Sequence, residues 1–114
     1  MSPITSHVLD TCRGKPAAGI TVIVAVSQGP DRWAELARGV TDSDGRITQF
    51  DPNLTPFSPG VYRLRFSTAP YFTALGVHGF YPEIDVTVRV DDPAHHFHIP
   101  LLLSPFGYTT YRGS

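Results

Sequence analysis

Polar and apolar residues alternate along much of this chain, a pattern typical of strands that bury one face. The alternation is sharpest in residues 61–67 and 84–90, and it is also present in residues 4–9. Residues 20–26 are almost wholly apolar and β-branched, which predicts a strand that is buried on both faces. Four further segments are predicted strands: 32–41, 47–50, 95–103 and 106–111.

Glycine, proline and aspartate mark the turns between these segments. Asp44-Gly45 is a strong signal for a hairpin turn between residues 32–41 and 47–50. Residues 69–76 are the one predicted helix, because proline suits its first turn and glycine suits its C-terminal end. Seven or eight short strands at regular spacing predict an all-β fold, an antiparallel β-sandwich with one short helix.

Composition places limits on the class of protein. The 114 residues are 41% hydrophobic and 17% charged, which predicts one globular domain over residues 1–114. A net charge of −1 without a basic stripe argues against nucleic acid and against a membrane surface as partners. The apolar run at 99–103, like every other apolar run in the sequence, is too short to span a bilayer.

The start of the chain and its cysteine usage bear on location. Met1-Ser2-Pro3 leads directly into strand-like sequence, so we expect no signal peptide. Cys12 is the single cysteine, which excludes an internal disulfide framework. A reducing, cytoplasmic location is the simplest expectation.

Most of the candidate chemistry lies in the last twenty residues, which combine histidines, hydroxyls and one arginine. Residues 108–111 are β-forming and run almost to the end of the chain, which predicts a terminal strand that carries functional groups. His96 and His98 share one face of their strand, and the residues between and beyond them face the core. Pro100 lies on the histidine face, which indicates an edge strand or a bulge.

Taken singly, the candidate residues have ordinary structural explanations. A solvated turn accounts for His95 and His96, and a core position bonded to backbone accounts for His98. His7 suits a structural position in mid-strand. Arg46 follows a tight turn and Arg112 lies close to the chain end, where most arginines are simply solvated.

Taken together, the same groups suit hydrolysis. Neutral imidazoles accept protons near pH 7, and an arginine holds a carbonyl or a developing oxyanion with two hydrogen bonds. Tyr111 and Thr109 add hydroxyl donors. This set predicts metal-independent hydrolysis of a small, planar, polar ring amide.

Other chemistries have weaker support in the sequence. The pair His96 and His98 resembles two metal ligands, but no third ligand stands at a motif spacing. Ser6, His7 and Asp10 fail as a catalytic triad because Ser6 and His7 project to opposite faces of one strand. Nothing near Cys12 marks it as an activated nucleophile.

Three stretches of the chain resemble the transthyretin-like family. They are His7-Val8-Leu9-Asp10-Thr11 with Gly14-Lys15-Pro16-Ala17, then Thr41-Asp42-Ser43-Asp44-Gly45-Arg46, then 96–105 continuing into Tyr108. Residues 80–84 resemble the connector of that family. The terminal Tyr111-Arg112-Gly113-Ser114 is similar to the 5-hydroxyisourate hydrolase branch rather than to the hormone-carrying transthyretins.

This resemblance implies a homotetramer, a dimer of dimers, with active sites in its central channel. It implies hydrolytic opening of the six-membered ring of 5-hydroxyisourate by water, without a cofactor or metal, in the degradation of urate to allantoin. The implied product is 2-oxo-4-hydroxy-4-carboxy-5-ureidoimidazoline. The implied catalytic residues are His7, Arg46 and His98. The implied substrate-binding residues are His7, Arg46, Tyr111, Arg112, Gly113 and Ser114.

Three alternatives stay open at this point. The first is a transthyretin-like carrier that binds small aromatic ligands in the same channel. The second is a monomeric structural β-sandwich without a site. The third is a metal-dependent hydrolase that uses His95, His96 and His98.

Overall fold

A computed structural model of the chain describes residues 2–114 and contains two β-sheets that enclose one hydrophobic core. The described residues form nine strands and one helix. Their bounds are β1 Ile4–Asp10, β2 Lys15–Pro16, β3 Thr21–Ser27, β4 Trp33–Val40, β5 Arg46–Ile47, β6 Gly60–Phe66, α1 Ala69–Ala74, β7 Ile84–Val90, β8 Phe97–Ser104 and β9 Gly107–Thr110.

The first sheet has the strand order β2-β1-β8-β9, and β5, which lies outside this order, also pairs with β1. The second sheet has the order β4-β3-β6-β7. All neighbouring strands are antiparallel except β1 and β8, which run parallel. The predicted all-β sandwich with one short helix is confirmed, and the parallel pair is its one departure from antiparallel pairing. Nine strands form instead of the seven or eight predicted, because the two-residue strand β2, which pairs with β1, was not predicted.

The core forms where the inward faces of the two sheets meet. On β6 the alternation is complete, since Tyr62, Leu64 and Phe66 are buried and the residues between them are half-exposed. Leu101 and Leu103 of β8 are fully buried on the opposite sheet. Removing such a side chain to alanine costs roughly 2–5 kcal/mol, so this core fixes which face of each sheet turns outward.

The helix prediction is also confirmed. Helix α1 has a proline in its first turn and extends over Ala69–Ala74. Gly76 follows with a φ of +70°, a conformation that glycine adopts without strain.

The sequence predicted that strand β3 is buried on both faces, and this prediction is wrong. Val22 and Val24 are buried, whereas Thr21 and Ile23 on the other face are half-exposed. An antiparallel sheet in a sandwich covers one face only, so an apolar run does not guarantee two-sided burial.

The turn at Asp44-Gly45 is tight, as predicted, but it does not close a hairpin. The Asp42 amide donates to the Arg46 carbonyl at 3.0 Å, and Gly45 has a φ of +75°. However, β4 belongs to the second sheet while β5 pairs with β1 in the first. The chain crosses here because Ile47 and Phe50 enter the core.

Pro100 lies in the interior of the first sheet, so the expected edge strand or bulge is wrong. Strand β8 lies between β1 and β9. The Pro100 carbonyl faces β9 and accepts a 2.7 Å hydrogen bond from the Thr110 hydroxyl. Because the nitrogen and carbonyl of a strand residue point to the same side, the missing N–H of Pro100 falls where β9 ends.

Candidate active site

The outer face of the first sheet, defined by Thr5, His7, Arg46 and His98, carries the main polar cluster. His7 on β1 pairs with Arg46 on β5, and Thr5 pairs with His98 on β8. Directly paired residues place their side chains on the same face of a sheet. Three strands that are distant in sequence therefore bring two imidazoles and one guanidinium together.

His7 is oriented by the turn that follows β4. Its Nε2 lies 2.9 Å from the Asp44 backbone carbonyl oxygen. A carbonyl only accepts, so Nε2 carries the proton and Nδ1 is left for a ligand. The Asp42 carboxylate accepts from the amides of Asp44 and Arg46, each at 2.9 Å, which fixes the turn.

His98 is held from its Nδ1 side. That nitrogen lies 2.8 Å from the Thr5 hydroxyl oxygen, and the ring is half-buried. Burial lowers the pKa of His98, and the charges of Arg46, His7 and His96 lower it further. The neutral ring that results at pH 7 can accept a proton.

Arg46 points from β5 into solvent beside these histidines. It is exposed and forms no ion pair with any of residues 2–114. A guanidinium without an acidic partner is available to bind a planar carbonyl or an anion.

The last residues of the chain reach this cluster. The Gly113 amide donates a 2.8 Å hydrogen bond to the His98 carbonyl. A side chain at position 113 would force the tail or the ring to shift, because a Cβ there would lie 2.6 Å from His98 Cδ2. Ser114 consequently borders the same pocket as Arg46 and His98.

That pocket has a volume of about 200 Å³ and is open to solvent. Its lining residues all carry polar side chains: Thr5, Ser6, Arg46, Thr48, His96, His98 and Ser114. A pocket that is lined by polar groups and open to solvent suits a small polar ligand.

Tyr111 and Arg112 lie in a different place within one chain. They border a separate, largely apolar cavity of about 220 Å³ between β7 and β8. The guanidinium carbon of Arg112 lies 4.8 Å from the centre of the Phe97 ring, a cation–π contact. Of the predicted site residues, the structure brings together His7, Arg46, His98, Gly113 and Ser114 and sets Tyr111 and Arg112 apart.

Two residues near the site were not predicted from the sequence. Thr5 was not a candidate, and His96 was expected to lie in a solvated turn. Thr5 is buried, at 4% exposure, and its hydroxyl contacts His98 and also His96 Nε2 at 3.0 Å. His96 is exposed as a solvated turn predicts, but it is not free of contacts. The available signal was that Thr5 stands two residues before His7 on the same strand face.

The structure bears on the alternative chemistries as well. The Ser6 hydroxyl donates to the Ile99 carbonyl at 2.7 Å and is buried, so it does not face His7. Cys12 is exposed in the turn before β2.

Among residues 2–114, no three histidine, cysteine or carboxylate side chains are grouped as metal ligands. Nor does any helix in that range combine the length and the apolar character of a membrane span.

A family model described as HIUase/Transthyretin matches residues 4–113. The chain belongs to the HIUase/Transthyretin family. It is 43% identical over 116 residues to the 5-hydroxyisourate hydrolase of Mus musculus, an alignment that covers 99% of this chain and 96% of the mouse protein.

Solved structures from both branches of the HIUase/Transthyretin family have the same fold. Klebsiella pneumoniae 5-hydroxyisourate hydrolase matches with a TM-score of 0.83 and 33% identity, covering 97% of this chain and 98% of that one. Sea bream transthyretin in complex with thyroxine matches with a TM-score of 0.86 and 34% identity, covering 97% and 94%. Since the two scores are nearly equal, the fold does not separate hydrolase from carrier, and the side chains of the site must.

Proposed function

We propose that this chain is a 5-hydroxyisourate hydrolase, and the observation that carries the proposal is the cluster of His7, Arg46 and His98 on the outer face of the first sheet. The overall similarity to the mouse hydrolase supports the same activity. A carrier of apolar ligands has no need for two imidazoles and an unpaired guanidinium on one face.

In the proposed reaction, water attacks a carbonyl carbon of the six-membered ring. The bond between that carbon and the ring nitrogen breaks, and the water oxygen remains on the carbon as part of a carboxylate. One proton of the water goes to the departing nitrogen, and the other leaves when the acid ionises. The product is 2-oxo-4-hydroxy-4-carboxy-5-ureidoimidazoline, an intermediate of urate degradation.

The cluster supplies the groups that this reaction needs. His7 Nδ1 and a nitrogen of neutral His98 are proton acceptors for the attacking water. Arg46, charged and exposed, stabilises the negative charge that develops on the carbonyl oxygen. Gly113 and Ser114 close one side of the pocket over His98. We propose that no metal takes part.

Tyr111 and Arg112 would contribute to the site only in an assembly of several chains. A pocket of this kind is open on one side in a single chain, and Arg112 lies in a cavity of its own. We propose a homotetramer, present in the cytoplasm, in which the outer faces of facing copies share a central channel and the terminal residues help to line it. Light scattering of the purified protein should then give a mass of four chains.

The carrier is the second candidate, because the sea bream transthyretin of nearly the same backbone fold is solved in complex with thyroxine. The two functions make opposite predictions. A carrier binds an iodinated phenol tightly and leaves 5-hydroxyisourate to decay at its spontaneous rate. A hydrolase accelerates that decay and binds the phenol weakly.

The deciding experiment is turnover of freshly generated 5-hydroxyisourate, followed by ultraviolet absorbance with and without the protein. His98→Asn and Arg46→Gln are each expected to lower kcat/KM by about 10²-fold or more. His95→Gln, a change of an exposed neighbouring histidine, is the matched control and should retain wild-type activity. Near-wild-type kcat/KM in both site variants contradicts the assignment, and loss of activity in a chelator contradicts metal independence.

A further inference from the structure

Thr5 holds an unusual position between two imidazoles. Its hydroxyl oxygen is 2.8 Å from His98 Nδ1 and 3.0 Å from His96 Nε2, and its side chain is buried. A hydroxyl has one proton, so it can donate to only one of these nitrogens. Toward the other nitrogen it can only accept, and that nitrogen must therefore carry a proton.

Counting protons leaves two arrangements when both rings are neutral. In the first, Thr5 donates to His96, and His98 donates to Thr5 through Nδ1, so His98 Nε2 has a lone pair. In the second, Thr5 donates to His98 Nδ1, and His96 donates to Thr5 through Nε2, so the proton of His98 is on Nε2. The tautomers of the two rings are coupled through the Thr5 hydroxyl.

Charging of His96 removes the choice. A charged imidazole carries a proton on both nitrogens, so His96 Nε2 must then donate to Thr5. Thr5 is left to donate to His98 Nδ1, and neutral His98 is forced to place its proton on Nε2. His96 is exposed, so solvent reaches its ring.

The pocket favours the first arrangement while His96 is neutral. Thr5 occupies Nδ1 of His98, so Nε2 is the nitrogen that remains for a ligand. Arg46 borders the same pocket, and its positive charge favours a lone pair over an N–H that faces it. Gly113 packs against the ring edge next to Nε2, which limits rotation of the ring.

We propose that Thr5 and His96 are positioning residues that set which nitrogen of His98 carries its proton, and so switch Nε2 from acceptor to donor when His96 becomes charged. This inference rests on the proposed hydrolase activity for its consequence: a charged His96 withdraws the proton acceptor that His98 offers to water. Neither residue contacts the reacting atoms in this scheme.

The charged and titratable groups around the pair come from several elements. His7 of β1 and Arg46 of β5 face His98, His96 precedes it on its own segment, and Ser114 of the terminal segment borders the pocket that His96 and His98 line. His96 also borders a second pocket, which it shares with His95. Burial and the neighbouring charges lower the pKa of His98, which keeps His98 neutral at a pH where an ordinary imidazole begins to charge.

The direct test is nitrogen NMR of the whole protein labelled with 15N-histidine, without substrate, over a pH titration. The same spectra report when His96 becomes charged and which nitrogen of His98 is protonated. We expect the proton of His98 to move from Nδ1 to Nε2 as His96 becomes charged. Thr5→Ser should retain this exchange, whereas Thr5→Val should abolish it.

Two further variants keep the test independent of folding at the buried Thr5. His96→Gln changes an exposed residue and should leave His98 in one tautomer at all pH values at which it is neutral. His95→Gln makes the same change one residue away and should behave as wild type. A His98 tautomer that is unchanged by the charging of His96, or an exchange that persists in Thr5→Val, overturns the proposal.

The kinetic test separates this inference from the proposed function. Thr5→Val should lower kcat by about tenfold or more, within the range for a misplaced catalytic proton, with a smaller effect on KM, and Thr5→Ser should restore most of it. Equal kinetics of wild type and Thr5→Val overturn the positioning role. If wild-type protein does not accelerate decay of 5-hydroxyisourate at all, the hydrolase proposal fails, while the NMR result still decides the coupling of His96 to His98.

Discussion

Gly113 lies directly against His98: its amide donates to the His98 carbonyl at 2.8 Å, and a Cβ at this position would lie 2.6 Å from His98 Cδ2. The position of the terminal segment and the position of the half-buried His98 ring therefore depend on each other. Any side chain at position 113 must move the imidazole ring, the tail or both.

Gly113→Ala should lower kcat/KM at least about tenfold, because small displacements of a catalytic group are costly. The free energy of unfolding should change by less than about 0.5 kcal/mol, since the position is close to the chain end and only partly buried. Steady-state kinetics and urea denaturation measure the two effects. Gly107→Ala is the matched control, because a Cβ there makes only an ordinary contact of 3.7 Å with the Ser104 hydroxyl. Equal activity of the two variants would remove Gly113 from the site.

Arg46→Gln should raise the pKa of His98. Burial is the largest cause of the lowered pKa, and the charge of Arg46 is the next, so the variant removes part of the shift. Proton NMR of the His98 ring over a pH titration measures the change. Arg38→Gln, which removes an exposed arginine paired with Glu35, should leave the His98 titration where it is in the wild type. An unchanged His98 titration in Arg46→Gln contradicts the proposed proximity.

The lowered pKa of His98 also makes stability depend on pH. Between the folded pKa and the ordinary value of about 6.5, the unfolded chain binds more protons than the folded chain. The contribution of His98 to stability is therefore present above pH of about 6.5 and is lost as the pH falls through the folded pKa. As the pH is lowered across this window, the denaturation midpoint of Arg46→Gln should fall less steeply than that of the wild type.

Gly45→Ala should destabilise the protein far more than Gly14→Ala. Both glycines have positive φ, +75° and +65°, so each alanine costs roughly 1–2 kcal/mol of backbone strain. A Cβ at Gly45 also overlaps the Val8 carbonyl oxygen, whereas nothing lies within 4 Å of one at Gly14. Overpacking of this kind adds roughly 1–3 kcal/mol. Urea denaturation of both variants measures the difference.

The same change at Gly45 should also reduce activity. Its turn presents the Asp44 carbonyl to His7 and positions Arg46 on β5. We expect kcat/KM of folded Gly45→Ala to fall, and that of Gly14→Ala to stay near the wild-type value. If the two variants are equally stable and equally active, the close approach of the turn to β1 is wrong.

Tyr71→Phe should lower the free energy of unfolding by about 1 kcal/mol, the value of one hydrogen bond, without changing kcat. The Tyr71 hydroxyl donates to the buried Asp10 carboxylate at 2.7 Å, and burial together with this bond raises the pKa of the phenol. Asp10 keeps the backbone amides of Cys12 and Arg13 as partners in the variant, which limits the loss. A larger loss, comparable to that of Asp10→Ala, would show that Tyr71 does more than satisfy this carboxylate.

The fold was predictable wherever one face of a strand is buried. Alternation in residues 84–90 gave the bounds of β7, because each apolar residue there turns toward the core or its margin. The crossing at Asp44-Gly45 was not predictable, because a turn signal is local and does not say which sheet the next strand joins. The interior place of Pro100 depends on where β9 ends, which is equally non-local.

Only the site residues that stand in a recognisable motif could be predicted from the sequence. His7, Arg46 and His98 each stand in a motif, and their pairing across β1, β5 and β8 brings them together. Thr5 was missed because nothing in a threonine on a strand signals that its hydroxyl contacts two rings more than 90 residues away. The separation of Arg112 from His98 within one chain depends on its contact with Phe97, which no spacing rule describes.

The parallel pairing of β1 with β8 has a consequence for how the protein matures. Segments at opposite ends of the sequence must meet before the first sheet exists, and such distant contacts form slowly. Until these segments pair, His7 and His98 are far apart on the unfolded chain and cannot act together. Recovery of turnover after dilution from denaturant should therefore be no faster than closure of this sheet, because the two histidines share a face only once β1 and β8 have paired.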